Sequence, residues 1–189
     1  MPLVGGRYDP KNPAWLLAGQ PSGVYRTNLI RALSGGNLAA LTTQVMTSVA
    51  LPLQAGDIIT SLTFKSGGTA AGTPTNWWFA LYDTSATPAL IAQSADQLTA
   101  AWAADTAKTL ALSAPYLVLV PGVYYAAIMV KATTVPTLIG ASVQADASAG
   151  FLSSDKVLAV TSGAALTTTA PATIATPTTV GTVAQVVAS

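Results

Sequence analysis

Five side chains in the middle of the chain have the types that bind sugars or partner proteins: Asn76, Trp78, Tyr82, Asp83 and Trp102, here called the aromatic group. Trp78 and Tyr82 share one face of an extended strand, because side chains alternate between its two faces. Exposed aromatic rings stack on sugars, and Trp and Tyr are also enriched at the centres of protein interfaces. Three interpretations stay open: a sugar platform, a protein interface, or rings buried on both faces, one of them under the N-terminal segment.

The composition argues against catalysis. The 189 residues include no His, Cys or Glu, the side chains most used for acid–base, covalent and zinc chemistry. Asp96 and Asp105 flank Trp102 and could form the carboxylate pair of a glycoside hydrolase. The sequence around them, however, indicates no environment that would make either one a proton donor. It also has no Asp-rich loop for calcium, so we expect no enzyme activity, no metal site and no cofactor.

Charge is scarce and balanced. Eight basic and seven acidic residues give a net charge of +1, and charged residues make up 8% of the chain, against about 25% in an ordinary soluble domain. The chain lacks the basic stripe that nucleic-acid binding needs or that an anionic membrane surface attracts. A surface with so little charge favours coverage by neighbouring subunits; the alternative is a monomer coated with neutral Thr and Ser.

One apolar stretch is long enough to cross a membrane as a helix. It runs for 22 uncharged residues between Lys108 and Lys131. Pro115 and the Pro121–Gly122 turn divide it into two lengths typical of strands, so we predict no transmembrane helix. The first ten residues lack the basic-then-apolar pattern of a signal peptide.

Residues 1–37 differ from the rest of the chain and predict an extended N-terminal arm. They hold four of the twelve prolines, six glycines and all three arginines, and a short helix around residues 26–33 is expected. The segment is too apolar for a solvated tail. It either lies on another subunit or folds back over its own domain. The side chains that would bind a partner are Arg7, Trp15, Leu16, Leu17, Tyr25, Arg26 and Arg31.

Residues 38–189 read as short strands separated by turns. Ile58–Lys65 alternates apolar and polar residues, and Val123–Lys131 is apolar on both faces, as in a central strand covered on each side. One helical competitor exists over Ser94–Asp105, which begins with a capping-box pattern. The pattern predicts an all-β fold, a jelly-roll-like antiparallel β-sandwich over residues 38–189.

Three segments carry a family resemblance: Leu53–Phe64 (LQAGDIITSLTF), Trp77–Asp83 (WWFALYD) and Pro121–Val130 (PGVYYAAIMV). In this order, over about residues 40–187, they resemble the β-sandwich domains of tailed-bacteriophage virion proteins. These include head-decoration proteins, head fibres and tail-tip or minor tail proteins. Carbohydrate-binding modules share a similar order of strands.

The resemblance implies a virion structural protein that lacks catalytic residues. It implies a homo-oligomer, often a trimer, that assembles in the host cytoplasm and binds the major capsid protein or other virion subunits. Within this class the small size and the absence of fibre repeats favour capsid decoration. The alternative is a receptor- or carbohydrate-binding module at a tail tip that contacts a cell-surface glycan.

Overall fold

Strands dominate the part of the chain that the computed structural model describes, residues 26–189. In chain order they are β1 (Arg26–Thr27), β2 (Gly36–Asn37), β3 (Met46–Leu53), β4 (Ile58–Lys65), β5 (Asn76–Tyr82), β6 (Leu90–Gln93), β7 (Ala107–Leu117), β8 (Gly122–Lys131), β9 (Ile139–Ser142), β10 (Ala159–Ser162), β11 (Thr178–Thr179), β12 (Thr182–Ala184) and β13 (Val186–Ala188). Helical structure within these residues is limited to a 3-10 turn at Arg31–Leu33 and to α1 at Ala145–Ala149. The predicted all-β class is confirmed.

The strands form three antiparallel sheets. The six-stranded sheet has the order β11-β10-β3-β8-β5-β6, the four-stranded sheet β1-β13-β4-β7, and the three-stranded sheet β12-β9-β2. Consecutive strands repeatedly change sheet: β3 to β4, β4 to β5, β6 to β7 and β7 to β8 each cross from one of the two larger sheets to the other. Such crossings place two sheets face to face, and the predicted β-sandwich is confirmed.

The core between the two larger sheets is aromatic at its centre. The ring of Phe79 lies 4.8 Å from that of Phe64 in β4, and the ring of Trp77 lies 5.0 Å from that of Trp102. All four side chains are at most 1% exposed. Because β4 contributes Leu62 and Phe64 while β5 contributes Trp77 and Phe79, this cluster joins the two sheets.

A second apolar cluster lies on the opposite face of the six-stranded sheet. It contains Met46, Trp78, Tyr82 and Met129 from the strands. Residues 163–177, here called the covering segment, contribute Leu166, Ala170 and Ile174 to it. As a result every residue of β5 is buried. The neighbouring strand β8 is apolar on both faces because it too is covered on each side, as predicted.

The helix that competed for residues 94–105 does not form. Leu98 and Asp105 have φ angles of +50° and +55°, which an α-helix excludes. The carboxylate of Asp96 accepts hydrogen bonds from the backbone N–H groups of Trp77 and Leu98, at 2.9 and 3.2 Å. This local side-chain bonding competes with helical hydrogen bonds, so the capping-box interpretation was wrong.

Residues 26–37, which the sequence assigned to the arm, belong to the sandwich. β1 pairs with β13, and β2 pairs with β9. The helix expected over residues 26–33 is reduced to the 3-10 turn, because Arg26 and Thr27 are already engaged in a strand. The predicted boundary at residue 37 is therefore too late, since the body includes at least the last twelve residues of the predicted arm.

The 22-residue uncharged stretch is divided at the predicted Pro121–Gly122 turn, since β7 ends at Leu117 and β8 begins at Gly122. Pro115 does not divide it, because it lies within β7, where the pairing with β4 is irregular between Ala111 and Tyr116. Within residues 26–189, no helix has both the length and the apolar character that crossing a membrane would require.

The ion pair between Arg26 and Asp57 fixes β1 to the body, and its loss is expected to destabilise the fold. Both nitrogens of the guanidinium fork donate to the carboxylate at 2.6 Å, and the Asp57 side chain is only 6% exposed. Arg26→Ala leaves this carboxylate without its counter-ion. We expect the free energy of unfolding to fall by about 1–3 kcal/mol, measured by urea denaturation.

Arg31→Ala is the matched control for this measurement. Arg31 is exposed and forms no ion pair with any residue between 26 and 189, so a change of less than about 0.5 kcal/mol is expected. Equal effects of the two substitutions would contradict the assigned role of Arg26.

Candidate functional site

Trp78 and Tyr82 lie beneath the covering segment and are fully buried. The indole N–H of Trp78 donates to the carbonyl of Thr167 at 2.7 Å, and the Tyr82 hydroxyl donates to the carbonyl of Pro171 at 2.8 Å. Burial raises the pKa of Tyr82 above its ordinary value. The two rings do share one face, as the alternation predicts, but that face is not accessible to a sugar or a partner.

Trp102 belongs to the other face of β5. Its ring stacks on Trp77 in the core between the two larger sheets, and its indole N–H donates to the carbonyl of Thr106 at 3.0 Å. The aromatic group is therefore divided between two clusters that are separated by the six-stranded sheet. Among the three interpretations of these rings, burial on both faces describes the structure; the cover is the covering segment rather than the N-terminal segment.

The two polar members of the aromatic group are also separated. Asn76 begins β5 and Asp83 follows its end, a separation of roughly 20 Å along a strand. The amide nitrogen of Asn76 donates to the Asp96 carboxylate at 2.6 Å. Asp83 instead closes the turn into β6, where it accepts hydrogen bonds from the backbone N–H groups of Ser85 and Ala89. Neither residue is placed to assist binding at Trp78.

Of the two carboxylates considered for glycoside hydrolysis, Asp96 is held by hydrogen bonds of the fold. Both oxygens of Asp96 accept hydrogen bonds from β5 or from its own loop, so its position serves the fold. Asp105 lies in a turn with positive φ. Within residues 26–189, no three acidic side chains come close enough together to hold a metal ion.

The predicted partner-binding residues of the arm lie partly before and partly after the start of the described residues. Five of them lie outside the described residues: Arg7, Trp15, Leu16, Leu17 and Tyr25. Arg26 was expected to bind a carboxylate of a partner, but its carboxylate is Asp57 of its own sandwich. Arg31 is exposed beside Leu33, which is 66% exposed, and is accessible to a partner.

One exposed apolar surface lies at an end of the four-stranded sheet. It consists of Ile58, Leu117, Leu119 and Val120, here called the end patch, whose side chains are 54%, 50%, 74% and 61% exposed. Ile58 and Leu117 are paired across β4 and β7. Their neighbours in the same two strands face the core, so alternation turns this pair outward. Clustered exposed apolar residues mark interaction surfaces more often than scattered ones do.

A second exposed apolar surface is the loop tip formed by Phe151 and Leu152, directly after α1. Phe151 is 91% exposed and Leu152 is 68% exposed. The loop has a defined conformation, because one carboxylate oxygen of Asp155 accepts hydrogen bonds from the backbone N–H groups of both residues, each at 3.0 Å. These two hydrogen bonds hold the apolar pair in an exposed position, as expected of residues that contact a partner.

Gly150 is required for this loop. Its φ is +97°, a conformation that other residues rarely adopt. A Cβ atom added there would lie 2.5 Å from the Cβ of Asp155. Any side chain at this position would therefore displace the residue that orients Phe151 and Leu152.

A cleft of about 290 Å³ lies beside the loop tip. Its base is apolar and includes Val160 and Ile174, and its rim includes Thr87, Asp155 and Lys156. The Lys156 ammonium donates to the carbonyls of Thr84 and Ser85, at 3.0 and 2.9 Å. The cleft is thus open to a partner's side chain, while its one cation is already engaged by the turn after β5.

Sequence reasoning overlooked both exposed surfaces. Phe151 and Leu152 form an apolar pair between Gly150 and Ser153, outside any strand pattern, and an apolar pair within a turn-rich segment was the available signal. Leu119 and Val120 continue the apolar run of β7 in the sequence, a pattern that is typical of a strand. In the structure β7 ends before them.

The comparisons with known proteins find no match of any kind: no family model, no curated protein and no solved structure matches the chain.

Replacement of Trp78 tests whether its ring is buried in the fold or available for binding. Because the side chain is 0% exposed and fills the cluster under the covering segment, Trp78→Ala should lower the free energy of unfolding by about 3–5 kcal/mol. Chemical denaturation measures this change. Phe151→Ala, which removes an exposed ring, is the control and should change stability by less than about 0.5 kcal/mol. A fully stable Trp78→Ala protein would contradict the burial.

Asp83 should make the stability of the fold depend on pH in the acid range. Burial alone would raise its pKa, but hydrogen bonds from the Ser85 side chain and from the Ala89 and Ser85 backbone, with the charge of Lys156, lower the pKa below its ordinary value. A carboxylate with a lowered pKa contributes to the stability of the folded state. This contribution is complete above the ordinary pKa and is lost as the pH falls through the folded-state pKa.

Asp83→Asn tests this contribution. The wild type should be the more stable protein near pH 6, and its advantage should shrink as the pH falls below about 4, as measured by urea midpoints across this range. Asp146→Asn, at an exposed position, is the control. A wild-type advantage that is constant with pH would show that Asp83 acts only through its hydrogen-bond geometry.

Proposed function

We propose that this chain is a non-enzymatic bacteriophage virion structural protein, most specifically a capsid decoration protein. The observation that carries the proposal is the exposed apolar loop tip of Phe151 and Leu152, on a sandwich whose other described aromatic side chains are buried or half-buried. The resemblance in strand order and the low charge agree with it. Such a protein stabilises a lattice by binding the major capsid protein or other virion subunits.

Attachment would depend mainly on apolar burial. Covering an exposed Leu or Phe side chain contributes about 1.5–3 kcal/mol, and the loop tip of each copy offers two such side chains to the contact. With a net charge of +1, electrostatic attraction adds little. Binding to the particle should therefore persist in concentrated salt.

The N-terminal segment and self-association complete the proposal. Arg31 and Leu33 extend the contact surface at the start of the described chain, and the apolar residues before them would add contacts with neighbouring subunits. A homo-oligomer, preferentially a trimer, would place several loop tips on one lattice. Once one contact has formed, the others form at a high effective concentration, so each added contact raises the overall affinity for the lattice.

A receptor- or carbohydrate-binding module at a tail tip is the second candidate. Phe151 is almost fully exposed, and the neighbouring cleft carries the hydroxyl groups of Thr87 and Thr176 on its lining. An exposed ring beside hydroxyl groups suits a neutral glycan. This candidate no longer relies on Trp78 or Tyr82, which are buried.

Particle binding tests the proposal. Purified particles of the virus that encodes the chain are incubated with tagged protein and imaged with gold-labelled antibody, and the bound fraction is measured by sedimentation. Label over the head is expected. The double variant Phe151→Ser, Leu152→Ser should lower the affinity at least tenfold, since two apolar contacts are lost.

Two controls sharpen this experiment. Leu98→Ser removes an exposed apolar residue in another loop, 56% exposed, and should leave binding unchanged. Wild-type binding should be the same in moderate and in concentrated salt. Label confined to the tail, with glycan binding that the double variant loses, would support the second candidate; no label anywhere would contradict both.

A further inference from the structure

The end patch lies near Arg26 in β1, the first residue that the structure describes. β1 pairs with β13 through Arg26 and Ala188, and β13 pairs with β4 through Ala188 and Leu62. Both pairings are antiparallel, so β1 runs in the same direction as β4. The N-terminal end of β1, at Arg26, therefore points towards the beginning of β4, which is Ile58 in the end patch.

The ion pair of Arg26 holds the chain at this end. The guanidinium is bonded to Asp57, which immediately precedes Ile58. The backbone carbonyl of Asp57 accepts a hydrogen bond from the N–H of Val118, between Leu117 and Leu119 of the end patch. Arg26 is thus two covalent or hydrogen-bonded steps from Ile58, and three from Leu117 and Leu119.

The sequence before Arg26 contains a matching apolar segment. Residues 14–18 (AWLLA) are the longest apolar run in the first 25 residues. Nine residue steps separate Leu17 from Arg26, a reach of roughly 30 Å when extended. Residues 19–23 (GQPSG) carry the Gly and Pro signals of a turn. A turn there would allow residues 14–18 to fold back onto the patch.

We propose that Trp15, Leu16 and Leu17 of the same chain bind the end patch, with Trp15 as the aromatic anchor on its aliphatic side chains. The same chain is favoured over a second copy because a tether of this length holds its end at a millimolar effective concentration. The inference goes beyond the virion proposal and does not depend on it. Residues 1–14 remain for contacts with neighbouring subunits.

Tryptophan accessibility tests this binding directly. The chain has four tryptophans, and the other three, Trp77, Trp78 and Trp102, are at most 1% exposed. Quenching of the fluorescence of the full-length protein by acrylamide therefore reports on Trp15. In the wild type, we expect quenching as weak as in a Trp15→Phe variant, because the patch shields the ring.

The double variant Leu119→Asp, Val120→Asp should release Trp15 and raise its quenching several-fold. Both positions are exposed, so the fold is expected to survive, and circular dichroism with a thermal melt checks this. Phe151→Asp, Leu152→Asp places the same charges on the other apolar surface and is the matched control. It should leave Trp15 as shielded as in the wild type.

Three results would overturn the proposal. Strong quenching of Trp15 in the wild type would show that nothing shields it. Shielding that persists in the Leu119→Asp, Val120→Asp variant would place Trp15 at another surface. Shielding that disappears on dilution would make the occupant a second copy rather than the same chain. None of these results requires virus particles, so the outcome is independent of whether the protein binds a capsid.

Discussion

The burial of the six-stranded sheet on both faces is the constraint on which the rest of the structure depends. β8 and its neighbour β5 lie in the interior of this sheet and present large apolar side chains to each side. One side packs on the four-stranded sheet, and the other needs a separate cover. The covering segment supplies it, together with the backbone carbonyls that accept hydrogen bonds from Trp78 and Tyr82. Without those acceptors, the buried polar atoms of both rings would be unpaired.

This constraint also explains where the binding surfaces are. The aromatic side chains of β5 are used for packing, so they are not available to a partner. Exposed apolar residues occur instead at the end of the four-stranded sheet and in the loop after α1. These places lie outside the two clusters, and the loop is held by a single aspartate. A protein with few charges can therefore present apolar contacts without exposing its core.

Much of the fold follows from local pattern. The alternation of Ile58–Lys65 and the opposite facing of Trp77 and Trp78 are properties of any extended chain, and both appear in the structure. The helical alternative over residues 94–105 does not form because Asp96 bonds to β5, a contact with a strand nearly twenty residues earlier. The arm boundary failed for a similar reason, since β1 pairs with the last strand of the chain.

Composition and local alternation were enough to predict the β class and the two-faced character of the central strands, and composition shows that His, Cys and Glu are missing. These properties depend on residue types and on a period of two, which neighbouring residues are enough to define. The cover that residues 163–177 form over Trp78 and the pairing of Arg26 with Asp57 are visible only in the folded chain. The same is true of the exposure of Phe151. Which surface covers another depends on contacts between residues far apart in the chain, and no local pattern encodes them.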